Sequence, residues 1–526
     1  MIIGDPNLEA APPRGRPSVT IDEVFRRLAV PRPDALALAD APNRQVFTDG
    51  APRRLSYADA DRMVTAIAGR LRRMGLPTDS IIAIQLPNVV ENVLTILGVL
   101  RAGMIPALLP LLWRHAEAVA ALARVGAKAL MTCGRVGDFD HSHTALRVAS
   151  KVFSIRYVCG FGHNLPDGVV PFDDLFSTEK FDTLIPLDRE RQANGAAHVA
   201  LITFDIAQGG IVPVARNHIE TLAGGLDVLL ESGLPLGAKI LSTIAPGSFA
   251  GLCVAVLPWL LSAGTLFLHQ PFDPNVLLRQ RREERCGALI LPGPVALRLA
   301  DTGALAGDGL STVVAAWHSP ERLAASPIWG EPGAALVDAS IFGEGGLIAG
   351  RRGADGRAAP LPLGPVSTPR DGADAGAVVV AELTRSAAGT AMLRGPMVPH
   401  AAFPPGVERS GLPYFKIDAD GMVDTGYACR VDPVTRAMVV TGAPASIVNV
   451  GGYRFALGAL QDIVGRVDAA ARLSALPDPI LGQRLIGDSA DPDAVIAALE
   501  AAGANPLLAG AFRDRSAVAG PARASA

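Results

Sequence analysis

Between Leu55 and Thr132 the apolar residues alternate between short continuous runs and helical spacing, and this alternation restricts what the chain can fold into more than any other feature of the sequence. Ser56 stands three positions before Asp59, the pattern of an N-cap and its reciprocating acid. Ala60, Met63, Val64, Ile67, Ala68 and Leu71 follow at helical spacing, with Gly75 as the stop. Ile81 to Ile84 is a continuous apolar run that breaks at Pro87 and Asn88, and Val89 to Arg101 reads as a helix ended by Gly103. Met104 to Leu109 reads as a strand, Ala116 to Val125 as a helix, and Lys128 to Met131 as a strand. Strand, helix, strand, helix in this order predicts parallel pairing with helices laid on the sheet by right-handed crossovers.

The same alternation continues beyond this stretch. His198 to Phe204 reads as a strand running into a Gly-bearing turn, then a helix opening near Asn217 and His218. Leu241 to Leu268, Leu289 to Leu291 and Thr312 to Val314 repeat the pattern. From Gly343 to about Gly442 short strands are separated by Gly, Pro and Asp, which predicts a β-rich lobe. The division expected is a tail over 1–19, a large α/β domain over 20–442 with its β-rich lobe at about 346–442, a small α+β domain over 443–514, and a frayed tail over 515–526.

A length of 526 residues, 49% of them hydrophobic and 19% charged, excludes a disordered chain. The net charge of -3 argues against nucleic acid as a partner, because phosphate contacts need a concentrated basic surface. The densest basic stretch, Arg279 to Arg285, mixes signs and reads as a solvated helix face. Cys133, Cys159, Cys253, Cys286 and Cys429 stand singly, without a C-x-x-C pair or a His at ligand spacing, so no metal is expected and a reduced, cytoplasmic setting is. The first thirty residues show no signal-peptide pattern. Phe249 to Leu268 is uncharged and long enough to span a bilayer, but Pro258, Ser262 and Gly264 make it read as a buried helix followed by a buried strand.

Leu55–Asp61, Gln85–Asn88, Arg101–Gly103, Gly126–Leu130, Phe272–Pro274, Arg394–Val398, Asp424–Gly426, Thr441–Gly442 and Gly451–Tyr453 fall in an order that resembles the adenylate-forming superfamily of acyl-CoA synthetases, peptide-synthetase adenylation domains and luciferases. The resemblance spans roughly residues 20 to 490. It implies a large N-terminal domain of parallel sheets with a β-rich lobe, followed by a small, here shortened, C-terminal domain. The ancestral reaction it implies joins a carboxylic acid to AMP from ATP with magnesium, then passes the acyl group to CoA. Implied partners are a small carboxylate or an acyl-CoA, with an acyl carrier or a sister-enzyme subunit as a further possibility.

Residue by residue, the implied nucleotide stations are eroded. The family's phosphate loop, approximately TSGTTGxPKG with a His nine residues beyond its second Gly, falls on Phe204 to Pro213 with Gly209 and His218 in register. Thr203, Gln208, Gly209 and Gly210 lie there, but Asp205, Ile206 and Ala207 replace Ser, Gly and a hydroxyl, and Val212 replaces the lysine. Asp205 sets a negative charge near the triphosphate path. Tyr-Gly-x-Thr-Glu becomes Phe342, Gly343, Glu344, Gly345 and Gly346; Phe342 can still stack on adenine, and Glu344 is a substitute acid in a shifted register. The ribose aspartate falls on Tyr427, the hinge arginine is missing, and Ser446 takes the pivot. Trp317, in the strand that forms the adenine wall, is expected to fill the purine space. No lysine follows Lys416 to act as the C-terminal catalytic lysine. By the same resemblance His218, Phe249 and Gly251 fall at the acyl pocket, and Gly451, Gly452 and Tyr453 approach a pantetheine chain.

Structural roles compete with each of these. Gly209 and Gly210 serve equally as a turn, His218 as a helix start, Phe342 and Phe249 as core, and Gly451 and Gly452 as a tight turn. Losing one aimed electrostatic donor costs about 10² to 10³ in rate, and several are replaced here. The expectation is a divergent member whose adenylation is weak, altered or lost, with a non-catalytic acyl-binding or scaffolding protein as the alternative. An active ligase working through Glu344 and an arginine is the third reading.

Overall fold

The computed structural model describes residues 19–176, 195–207, 209–307, 309–331, 333–369 and 377–513. Gln208 and both expected tails, apart from Val19, lie outside the described residues. The helix Tyr57–Arg73 opens as the sequence predicts: Ser56 Oγ accepts the Asp59 N–H at 3.1 Å and Asp59 returns the bond to the Ser56 N–H. It crosses the helix Val90–Arg101 at Gly98, where a Cβ would come within 2.6 Å of the Ile67 side chain. Every residue of Val90–Arg101 is buried, as befits a helix apolar on all sides. Its one acid, Glu91, is held by Arg44 and Arg53, each at 2.7 Å, because a carboxylate taken out of water must be paired.

Among the described residues an eight-stranded sheet runs in the order Gly346–Arg351, Ala335–Phe342, Thr312–Trp317, Ala288–Pro292, Lys239–Ser242, Thr265–Leu268, Leu36–Ala39 and Arg54–Ser56. A seven-stranded sheet runs Gly210–Asn217, Val199–Ala207, Ile105–Leu108, Ile81–Ile84, Ala129–Cys133, Tyr157–Phe161 and Val169–Pro171. Inner pairings in both are parallel, with antiparallel strands at three of the four edges and the parallel strand Val169–Pro171 at the fourth. Their facing surfaces share the largest core, where Ile82 and Ile84 of one sheet meet the cluster that holds Leu38, Ile240 and Leu266 of the other. The outer face of the eight-stranded sheet carries a separate cluster with Leu289, Val313 and Trp317.

Gly346–Arg351 pairs into the large sheet, so the lobe's own five-stranded sheet begins at Gly364 and closes with Met438–Gly442. The C-terminal sheet runs Tyr453–Ala456, Ile447–Val450, Gly482–Asp488 and Arg472–Asp478, covered by the helices Leu457–Val467, Pro492–Ala501 and Pro506–Ala511. Phe249 to Leu268 folds inside the protein as helical turns and the strand Thr265–Leu268, and the helix widens to a π-turn over Leu252–Val256 just before Pro258. No helix among the described residues is long and apolar enough to cross a membrane.

Two expectations are corrected by the coordinates. The helix Pro274–Glu284 does not simply present a solvated charged face, since Arg281 is 0% exposed and Gln280 3%. And the turn after Phe204 does not lead straight into a helix, because a strand, Gly210–Asn217, intervenes and pairs back along Val199–Ala207.

Candidate active site

The residues expected to form the phosphate loop lie in the hairpin Val199–Ala207/Gly210–Asn217. Its ladder runs through Phe204 opposite Pro213, Asp205 opposite Val212 and Ile206 opposite Ile211, and closes at Ala207 opposite Gly210. Among the described residues of the turn, Gly209 is left outside it. Ile206, Ile211 and Val212 are strand formers, and with them in place of the family's Gly, Pro and Lys the chain closes a ladder where an open loop was expected. Backbone groups paired across a ladder are not available to cradle phosphate. Gly210 has φ +118, which only glycine adopts freely, so its turn role is explained by the backbone alone.

Asp205 is the acid of this hairpin, and its partner comes from the far end of the chain. Arg454 Nη1 donates to Asp205 Oδ1, and Asp205 Oδ2 accepts the Glu344 N–H at 3.2 Å. Both side chains are largely buried, at 13% and 16% exposure. The guanidinium lies where a Cβ on Gly343 would be, 1.8 Å from that position, so glycine at 343 is what admits it. Burial opposes the charge on Arg454, but Asp205, Tyr427 and Glu344 together outweigh it and drive its pKa upward. Arg454 also presses on His318, whose pKa burial has already lowered; the two together bring it to about 4, so its imidazole is neutral at pH 7.

Phe342, expected at the purine space, is packed by another side chain of the protein. Phe342 meets the ring of Tyr427 edge-on, centroids 5.6 Å apart at 87°, and Tyr427 OH donates to the His318 carbonyl at 3.3 Å. Trp317 does not fill that space. Strand alternation turns its indole to the outer face of the sheet, against Gly293, and Nε1 donates to Asp338 Oδ1 at 2.7 Å. Glu344 points inward: its Oε2 accepts the Phe249 N–H at 3.1 Å, and burial raises its pKa while the Thr203 hydroxyl and Arg216 pull it back.

Beside these groups lies a cavity of about 310 Å³. Its apolar wall includes Leu86, Leu111, Trp113, Phe204, Ile341 and the half-exposed Phe272; its polar groups include Asp205, Ser248, His269, Gln270, His318, Glu344 and Arg454. Trp113 packs on Phe204 with centroids 5.9 Å apart. His269 Nδ1 is hydrogen-bonded with Gln280 Oε1 at 2.9 Å, and Gln270 Oε1 accepts the Asn88 N–H at 2.7 Å, so both side chains are fixed. A volume of this size suits a small ring system rather than a long chain.

Of the acyl-pocket residues taken from the sequence, none lines this cavity. His218 starts the helix His218–Ser232 and its Nδ1 accepts the Ile21 N–H at 3.2 Å, tying down the N-terminal helix Ile21–Ala29. Phe249 lies under the Arg216 guanidinium at 3.7 Å, and Gly251 sits so close to the Ala245 carbonyl that a Cβ would be 2.2 Å away. Their neighbours Gly247, Ser248 and Ala250 face the cavity instead. Gly451, Gly452 and Tyr453 do line it, at the turn of the hairpin Ile447–Val450/Tyr453–Ala456. Both glycines have positive φ, +59 and +90, which the turn requires. Burial raises the Tyr453 phenol to about 12. Ser446 adopts φ +63, and its carbonyl accepts the Leu457 N–H at 2.9 Å.

Arg454, His269 and Gln270 escaped the sequence reading although each adjoins a motif it used. Arg454 directly follows Gly451–Tyr453, and His269–Gln270 precede Phe272–Pro274.

Comparison with known proteins places this geometry. An AMP-binding enzyme family model matches residues 27–201. The chain is 25% identical over 484 residues to the 2-hydroxy-7-methoxy-5-methyl-1-naphthoate–CoA ligase of Streptomyces carzinostaticus, covering 86% of this chain and 82% of that protein. It is 23% identical over 458 residues to a salicylyl-CoA synthase/salicylate adenylyltransferase of a Streptomyces species, covering 82% and 79%. Among solved structures, the amide bond synthetase McbA of Marinactinospora thermotolerans superposes with a TM-score of 0.68 at 20% identity, over 91% of this chain and 92% of that one. Apo MbtA of Mycobacterium smegmatis superposes with a TM-score of 0.61 at 19% identity, over 93% and 90%. The chain thus shares the fold of these adenylate-forming enzymes, and its residues 27–201 match the AMP-binding enzyme family.

Proposed function

We propose that this chain is a divergent member of the AMP-forming ligase family that binds a small aryl carboxylate or its acyl derivative, and in which adenylation is weak, altered or lost. The observation that carries the reading is the Asp205–Arg454 pair on a closed hairpin, in the register where a triphosphate would be cradled. A bound nucleotide would need donors that the ladder has already used, a site beside Gly343 that the Arg454 guanidinium fills, and a slot at Phe342 that Tyr427 fills. The residues present therefore do not fit ATP and its magnesium.

The acyl side is different. The cavity stays open, walled by Trp113, Phe204 and Phe272, and the relatives that match most of the chain are named for naphthoate and salicylate. These support an aromatic acid, free, as a CoA thioester or on an acyl carrier. Measuring pyrophosphate exchange with salicylate, hydroxynaphthoates and simple fatty acids tests the reading. Rates at the blank are expected for every acid, and exchange well above blank overturns it. A thermal shift from an aryl-CoA without one from ATP and magnesium would place the protein as an acyl-binding module, since a ligand stabilises the native state it binds. Glu344 and Arg454 both line the cavity, which is what favours an active ligase built on substitute groups, and the same exchange assay decides between them.

A further inference from the structure

The junction of the two domains is built unlike one that swings. A mobile domain interface is expected to be modest and polar. Here one apolar cluster runs through it unbroken, from Ile202, Trp113 and Phe204 of the large domain to Phe455, Leu460 and Phe512 of the small one. Polar contacts pin the same junction at separate places. Asn449 Nδ2 donates to the His318 carbonyl, and Arg322 donates to the carbonyls of Asp478 at 2.6 Å and Pro479 at 3.3 Å. On another side Asn505 Nδ2 donates to the Leu112 carbonyl at 3.0 Å. At the centre is the Asp205–Arg454 pair, both members largely buried and so little screened by salt.

The connection between the domains points the same way. Thr441 to Ser446 contains Pro444, whose ring fixes φ. Pro444 packs so closely on Gly426 that a Cβ there would be 3.1 Å from it. Ser446 then holds the left-handed conformation without being glycine, which persists only where its surroundings dictate it.

We propose that the small domain is locked in one orientation, with the buried Asp205–Arg454 pair as its ionic key, and forms a permanent roof over the cavity. The inference goes beyond the function proposed above, which concerns what the cavity binds. On that function, ligand exchange takes place through the rim at Phe272 and needs no domain rotation.

The five native cysteines are buried, so cysteines introduced at exposed positions take up spin labels selectively. Arg279→Cys in the large domain and Ala502→Cys in the small one supply such a pair, both residues being exposed. Pulsed EPR on the full chain should give one narrow distance distribution, moving by less than about 3 Å on adding ATP with magnesium, CoA or salicylate. A second population displaced by more than about 10 Å, with or without those ligands, overturns the lock. Asp205→Asn and Arg454→Gln should each broaden the distribution, and the exchanged pair Asp205→Arg with Arg454→Asp should narrow it again. Unbroadened distributions in folded single variants overturn the key. If both single variants fail to fold, the exchanged pair decides: a narrow distribution upholds the key, and failure to recover one overturns it. The distances are read without turnover. Pyrophosphate exchange with unmoved distances would therefore reject the loss of adenylation and keep the lock, and silent exchange with moving distances would do the reverse.

Discussion

The acyl end and the nucleotide end of the cleft share strands but spend their polar groups differently. At the acyl end, His269 and Gln270 are fixed from behind by Gln280 and Asn88 while still facing an open cavity. At the nucleotide end the polar groups satisfy one another: Asp205 takes Arg454, and Tyr427 takes the His318 carbonyl. A site must leave donors or acceptors for its ligand, whereas a core must leave none. On the function proposed above, the acyl end is the site and the nucleotide end is part of the fold.

Substitutions can break this comparison, beginning with the largest effect. Asp338 accepts Trp317 Nε1 at 2.7 Å and Arg352 Nε at 2.7 Å, with the Arg352 side chain 1% exposed. Asp338→Ala strands a buried guanidinium and should cost about 3–5 kcal/mol in urea unfolding. A loss under about 1 kcal/mol would mean that the outer face of the sheet, where Trp317 went instead of the purine space, does not depend on this acid.

Next in size is a pH effect. The His318 pKa is lowered to about 4, so the unfolded chain takes up a proton before the native one does. The stability from keeping this imidazole neutral is complete above pH ~6.5 and is lost as pH falls through that value to about 4, at most about 3 kcal/mol. His318→Gln should flatten that part of the stability profile, and an unchanged slope would remove His318 as its source.

Smaller effects sharpen the contrast. Ser56→Ala removes the cap of Tyr57–Arg73, a helix on the family's most legible stretch, and should cost about 1 kcal/mol without touching the cleft. Phe272, 49% exposed at the rim, should behave oppositely. Phe272→Ser is expected to leave stability within about 0.5 kcal/mol while weakening salicylate or naphthoate binding about tenfold by calorimetry. Equal affinity in that variant would argue that the rim aromatic does not meet the ligand.

Much of the scaffold was legible in the sequence because its signals are local. The cap at Ser56, the run Ile81–Ile84 and the stop at Gly75 each act within a few residues, and each appears where the spacing predicts. The site was legible only as missing residues. The replacement of phosphate-loop glycine and hydroxyls by Ile206 and Ala207 could be read, but its consequence, a ladder closed to Ala207 and Gly210, depends on strand pairing. Trp317 was expected in the purine space because sequence order marks a strand without marking which face a side chain takes; one residue of register separates pocket from core. His218 and Phe249 were drawn to the acyl pocket by position, yet a buried backbone N–H and an arginine already claim them.

By itself the sequence determined the alternation of strands and helices, the order of the family's anchors, and the loss of the lysine, ribose acid and hinge arginine. Tertiary structure alone decided that Asp205 would be neutralised, since its partner lies 249 residues away and reaches it only when the small domain is docked. Periodicity, caps and turns act between neighbours and can be read along the chain, whereas an ion pair between domains exists only where packing brings the two charges together.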